Sequence, residues 1–170
     1  IPQDRNHCAP NILRYYTRDR LDDNALKKFS LICINESGGD PTIESKVDVC
    51  EDGNSFSIGL FQINMVATEF TIPAADENKI NCNPDEIFNY NKRKGTPPYN
   101  NKIKKYECTV KNKDLYDKCK AALKITQFNI DEALKKANPS TQFDPFRGRI
   151  ISVNFKPWSV WPIIQSQCEI

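Results

Sequence analysis

Several things are scarce in this chain of 170 residues, and each scarcity removes a class of function. No apolar run approaches the roughly 20 residues that a membrane-spanning helix requires, so no membrane span is expected. There is one histidine, His7. An isolated imidazole builds neither a metal centre nor a Ser-His or Cys-His nucleophile, and His7 reads as a surface residue without a catalytic role. No two cysteines stand in a Cys-x-x-Cys pair, which argues against zinc knuckles and thioredoxin-type sites. No metal and no organic cofactor is implied. The formal net charge is only +2, too small to suggest a nucleic-acid partner. Internal repeats and low-complexity runs are missing, and the only candidate linker is the 91–101 loop. The chain opens on Ile1 with no basic-then-apolar leader, so a trimmed N-terminus is expected.

What is present describes an ordinary globular domain. Hydrophobic residues make up 39% and charged residues 27%, outside the range of disordered tails. A single domain over 1–170 buries roughly 70% of its unfolded surface, enough for a true core. The seven cysteines point to disulfides made in an oxidising compartment, and so to a secreted, periplasmic or virion-associated protein. An odd count leaves a thiol over. Cys33, on the apolar face of a helix, is the candidate, and the other six allow fifteen connectivities. Cys108 and Cys119 can pair only if the chain turns near Lys111 to Asp114, because one unbroken helix would hold them about 16 Å apart. Lys92, Arg93, Lys94, Lys102, Lys104 and Lys105 occupy a stretch without an acid. It reads as a solvated loop, or as a surface attracted to an anionic polymer.

Periodicity places the elements. A short helix is expected around Asn11–Thr17. From Asp22 or Asp23 as N-cap, the apolar stripe Ala25, Leu26, Phe29, Ile32, Cys33 marks a helix whose next inward position is Glu36. Gly38 and Gly39 stop it, and Pro41 prevents its resumption. Val47, Val49 and Cys50 suggest a strand, Asp52-Gly53 a hairpin turn, and Ser55–Ile58 the returning strand. Residues 72–101 read as loop apart from a helix over Asp85–Tyr90 begun by Pro84. Helices are expected over Asp114–Phe128, over Asp131–Ala137, and from Asp144-Pro145 through Ile150, Ile151 and Val153. Trp158 and Trp161 in the tail are core residues or sugar-stacking platforms.

An apolar helix ending in Glu36-Ser37-Gly38, followed by Ser57-Ile58-Gly59-Leu60-Phe61-Gln62-Ile63-Asn64, resembles the lysozyme-like superfamily. The Glu36–Pro41 wording is closest to soluble lytic transglycosylases and phage-type lysozymes, and the tail Phe155-x-Pro157-Trp158-Ser159-x-Trp161 resembles the end of phage and bacterial members. The resemblance covers about 35 residues plus the tail. It implies an α+β, mainly α, lysozyme-like fold with a small antiparallel β-sheet beside the cleft. It also implies a muramidase cleaving the β-1,4 bond between N-acetylmuramic acid and N-acetylglucosamine in peptidoglycan glycan strands. Glu36 would be the general acid, while Ser57, Gly59, Gln62, Asn64, Asn154 and Trp158 would line the substrate site.

Animal lysozymes carry their second carboxylate two residues before the glycine of the Gly-x-x-Gln-x-Asn segment. Here that residue is Ser57. Glu36 would then act alone, with the muramic 6-hydroxyl attacking to give a 1,6-anhydro product, as in lytic transglycosylases. Yet their Ala-Tyr-Asn-Ala-Gly-type segment is absent, Asn154 with Trp158 being the nearest substitute. Alternatively Glu44, Asp48, Glu51 or Asp52 supplies a second carboxylate for hydrolysis by water, or the chain is a catalytically silent glycan-binding domain. It would work as a monomeric domain or within a larger secreted or virion assembly. Asn35-Glu36-Ser37 is a formal glycosylation sequon, whose glycan would crowd the proposed acid unless Asn35 is buried or the source is bacterial, phage or viral.

Overall fold

In the computed structural model the described residues are 6–73, 78–90, 97–137, 142–143, 150–152 and 158. Pro10, its φ already helical, opens α1 (Pro10–Tyr16). The Asp22 carboxylate accepts from the Ala25 backbone N–H at 2.8 Å and starts α2 (Asp23–Ser37). Ala25, Leu26, Phe29, Ile32 and Cys33 are buried along one face. Gly38, at φ 65, ends the helix by returning its N–H to the Ile34 carbonyl, a left-handed cap that a side chain would strain. Asn35 is exposed in the last turn, its amide donating to the Leu31 carbonyl. Burial therefore does not account for the sequon.

The expected hairpin forms next. Cys50 N–H donates to Asn54 across the Asp52-Gly53 turn at 2.9 Å, and Val49 stands opposite Ser55. The returning arm ends in β1 (Ser57–Ile58), which pairs antiparallel with β2 (Ile63–Asn64). Four more two-stranded antiparallel ladders follow. β3 (Phe70–Ile72) pairs with β4 (Ile80–Cys82); after α3 (Pro84–Ile87), β5 (Phe88–Tyr90) pairs with β8 (Cys108–Val110). β6 (Tyr99–Asn100) pairs with β7 (Lys105–Tyr106), and β9 (Gln142–Phe143) with β10 (Ile150–Ser152). Between the last two pairs run α4 (Lys113–Leu123) and α5 (Thr126–Ala137). The architecture is mixed α+β, with helical residues outnumbering strand residues among those described.

Disulfides Cys8–Cys33, Cys50–Cys108 and Cys82–Cys119 tie these parts together. Cys33 is thus not the spare thiol: its inward position on α2 brings it to Cys8. Cys108 and Cys119 are each bridged elsewhere, and Cys168 lies outside the described residues. Three helix expectations also change. Residues 88–90 leave the helix for a strand because they pair antiparallel with β8, Phe88 opposite Val110 and Tyr90 opposite Cys108. The α4–α5 break falls at Lys124–Ile125, since the buried Asn129 amide caps the Leu123 carbonyl. Residues 150–152 are strand, in keeping with the β-branched pair Ile150-Ile151; 144–149 and 153 lie outside the described residues. Lys102 and Lys104 are exposed between β6 and β7, while residues 92–94 are not among those described.

Phe29 of α2 stacks on Phe61 with centroids 4.1 Å apart, and Phe61 meets Trp158 edge-on at 6.1 Å. This aromatic column packs the middle of α2 against the 57–64 segment and so helps set the walls of a cleft.

Candidate active site

Glu36 occupies the last turn of α2, on the stripe that is apolar up to Cys33. Its half-buried carboxyl opens into a cleft of about 410 Å3 lined also by Asp48, Gln62, Asn64, Lys136 and Trp158, with Ser45 and Val47. Loss of hydration pushes the Glu36 carboxyl above its ordinary value; Asp48 adds to this, and Lys136 opposes it. Burial holds the Lys136 ammonium below its usual range, against the pull of Glu36 and Asp48. A carboxyl in such surroundings keeps its proton to higher pH than a solvated one.

Of the four acids considered as a second carboxylate, Asp48 alone lines the cleft. It is fixed within the hairpin: Phe56 N–H donates to its carbonyl at 2.9 Å, and its own N–H donates to the Ser45 hydroxyl at 2.9 Å. The Ser57 hydroxyl donates to Asp48 Oδ2 at 2.6 Å. Glu44 instead pairs with Lys120 and Lys124 at 3.2 and 2.8 Å, which holds its carboxyl below its usual value. Asp52 serves its turn, accepting from Asn54 N–H and from Val110 N–H at 2.6 Å. Glu51 is exposed, its backbone N–H donating to Cys108.

The predicted lining residues divide similarly. Ser57 is only 2% exposed and supports Asp48 rather than facing the cleft. Gly59 is likewise not part of the lining. At φ 83 its α-carbon packs on Asn129 and the Leu123 carbonyl, so that a β-carbon would collide with both. Gln62 and Asn64 do line the cleft. Gln62, with a left-handed φ of 48, has its amide nitrogen on the Gly59 carbonyl at 3.0 Å. Asn64 Oδ1 accepts from Val66 and Ala67 N–H. Trp158 is 2% exposed, and its indole N–H donates to the Phe61 carbonyl at 3.2 Å. It serves the core and lines the cleft at once. Asn154 lies outside the described residues. His7 Nδ1 is 2.8 Å from Thr126 Oγ1 and is no part of the cleft.

No protein-family model, curated protein or solved structure matches this chain. The chemistry therefore has to be read from the cleft itself: a carboxyl disposed to hold a proton, an anchored second carboxylate, two amides and an indole. Among the described residues no His/Cys/Asp/Glu cluster is suited to a metal ion.

Sequence reasoning missed Lys136 and Asn129. Asn129, fully buried, receives Phe61 N–H at 2.9 Å and donates to the Ile58 and Leu123 carbonyls at 3.0 and 2.8 Å. It fixes the whole 58–61 turn to α5. A signal was available: the inward face of α5 runs Asn129, Ile130, Ala133, Ala137, and Lys136 borders it at helical spacing. A polar and a basic residue along an apolar stripe are informative in the same way as Glu36 on α2.

Proposed function

We propose that this chain is a lysozyme-like muramidase that cuts the β-1,4 bond between N-acetylmuramic acid and N-acetylglucosamine, with Glu36 as proton donor. The observation that carries the reading is the half-buried Glu36 carboxyl, raised by desolvation, in a cleft shared with Asp48. Protonated Glu36 donates to the glycosidic oxygen as the C1–O bond breaks, and the leaving sugar departs as an alcohol. Positive charge then develops at C1 and the ring oxygen, where the Asp48 carboxylate stabilises it. Glu36, now ionised, takes a proton from the incoming nucleophile and returns to its starting state.

That nucleophile is water or the muramic 6-hydroxyl. Asp48 favours water, because a second anchored carboxylate supplies what the single-glutamate route lacks. Gln62 and Asn64 would meet sugar hydroxyl and acetamido groups, while Trp158, buried and covered by Lys136, backs the cleft. Three disulfides suit an oxidising compartment, and the peptidoglycan substrate suits a secreted, periplasmic or virion-associated setting.

Mass analysis of peptidoglycan digests tests the reading. Hydrated muramic reducing ends are expected. Anhydro-muramic ends, lighter by one water, would transfer the step to the 6-hydroxyl and remove Asp48 from the chemistry. Binding without any cleavage would leave a silent glycan-binding domain and refute the enzyme.

A further inference from the structure

The chemistry proposed above leaves one charged group in the cleft unused. Lys136 lies with Nζ 4.7 Å from the centre of the Trp158 ring. Its neighbour Lys135 pairs with Glu132 at 2.9 Å, but among the described residues no carboxylate comes within 4.0 Å of the Lys136 ammonium. A lysine drawn out of water against an indole has lost hydration, and the cation–π contact replaces only part of it. Glu36 in its acid form is neutral, and the Asp48 carboxylate, which attracts the ammonium across the cleft, lies beyond ion-pair distance of it. The cleft therefore holds a partly dehydrated cation with no ion-pair partner among the described residues, beside the two side chains proposed to act on the glycosidic bond.

We propose that Lys136 is a specificity-determining residue that receives a carboxylate carried on the muramic acid side of the glycan, so that the cleft prefers acidic strands over uncharged ones. This rests on the muramidase reading. Two carriers share the chemistry: the lactyl carboxylate of peptide-free strands, and the carboxylates of the stem peptide where the lactyl group is amide-linked.

The test compares wild type, Lys136→Met and Lys136→Arg on peptide-free strands, on peptide-bearing strands, and on both after amidation of their carboxyls. A charge-assisted hydrogen bond predicts that amidation raises the wild-type KM about tenfold or more. Lys136→Met is expected to show the higher KM on charged strands and to be indifferent to amidation, while Lys136→Arg retains the preference. Whichever strand type loses most on amidation identifies the carrier. Removing the ammonium also alters the Glu36 proton affinity, but that change falls equally on charged and amidated strands, so the difference between them isolates the contact. Lys136→Met that keeps the wild-type preference, or a wild type indifferent to amidation, would overturn the proposal. Wild type that cleaves none of the strands would instead sink the muramidase reading itself, and this inference with it.

Discussion

Replacing Asn129 by alanine tests how the cleft wall is held. The side chain makes three hydrogen bonds, to Phe61 N–H and to the Ile58 and Leu123 carbonyls, at 2.8–3.0 Å and without solvent exposure. Three net bonds at about 1 kcal/mol each set a lower figure of about 3 kcal/mol, and stranding three buried backbone groups lifts it toward about 5 kcal/mol. Against a total stability of about 5–15 kcal/mol for a domain, that is a large share. Urea unfolding with the disulfides intact measures it as a lower midpoint at unchanged slope. Asn129→Asp sharpens the result. Aspartate keeps an acceptor for Phe61 N–H but turns an acceptor toward two carbonyls that need a donor, so it should cost at least as much as alanine. If only volume mattered, aspartate would be the milder change. A loss under about 1 kcal/mol for alanine, or a clearly milder aspartate, would refute the claim that this amide fixes the 58–61 turn.

Other consequences follow from the same geometry. Ser57→Ala removes the 2.6 Å bond to Asp48 and should lower lytic activity about tenfold while costing about 1–2 kcal/mol of stability, read from initial rates and urea midpoints. The basic limb of the kcat profile should follow Glu36. Lys136→Met moves it to higher pH by removing the opposing cation, and Asp48→Asn moves it lower if activity is retained; shifts in the same direction would break the assignment. Because burial raises the folded-state value of Glu36 above that of a solvated glutamate, the native state binds the proton more tightly than the unfolded chain. That contribution is full below the unfolded value and is lost as pH rises through the folded one, so Glu36→Gln should gain stability relative to wild type across that window, as thermal melts at several pH values would register. Removing Cys8–Cys33, which spans 25 residues, should cost about 3.5 kcal/mol by loop-closure entropy; a double serine variant of unchanged denaturation midpoint would contradict it.

The end of α2 was legible in the sequence because its signals are local: an Asp22 cap, a five-residue apolar stripe and a glycine stop. Glu36 could be placed on the inward side from spacing alone. The Asp52-Gly53 hairpin was legible for the same reason. What escaped depends on partners distant in the chain. Phe88–Tyr90 follows a proline-started helix and becomes strand by pairing with β8, distant in the chain. Cys33 looked like a small core thiol until the fold brought Cys8 across. Four of the five acids between Glu36 and Gly59, namely Glu44, Asp48, Glu51 and Asp52, were equivalent on paper. Hydrogen bonds and ion pairs from residues as far away as Val110 and Lys124 divided them, leaving Asp48 in the cleft. Lys136, a hundred positions beyond Glu36, reaches the same cavity only through the packing of α5 against the turn that Asn129 anchors.

The central claim is that the Glu36 proton starts the cleavage of the glycan. The direct measurement is the rate at which purified peptidoglycan releases reducing ends with wild type and with Glu36→Gln, whose amide keeps the shape but has no proton to give. The account predicts a loss of at least about a hundredfold, with an unchanged circular dichroism spectrum and retained binding to the glycan. Cleavage by Glu36→Gln at a rate near that of wild type would contradict it.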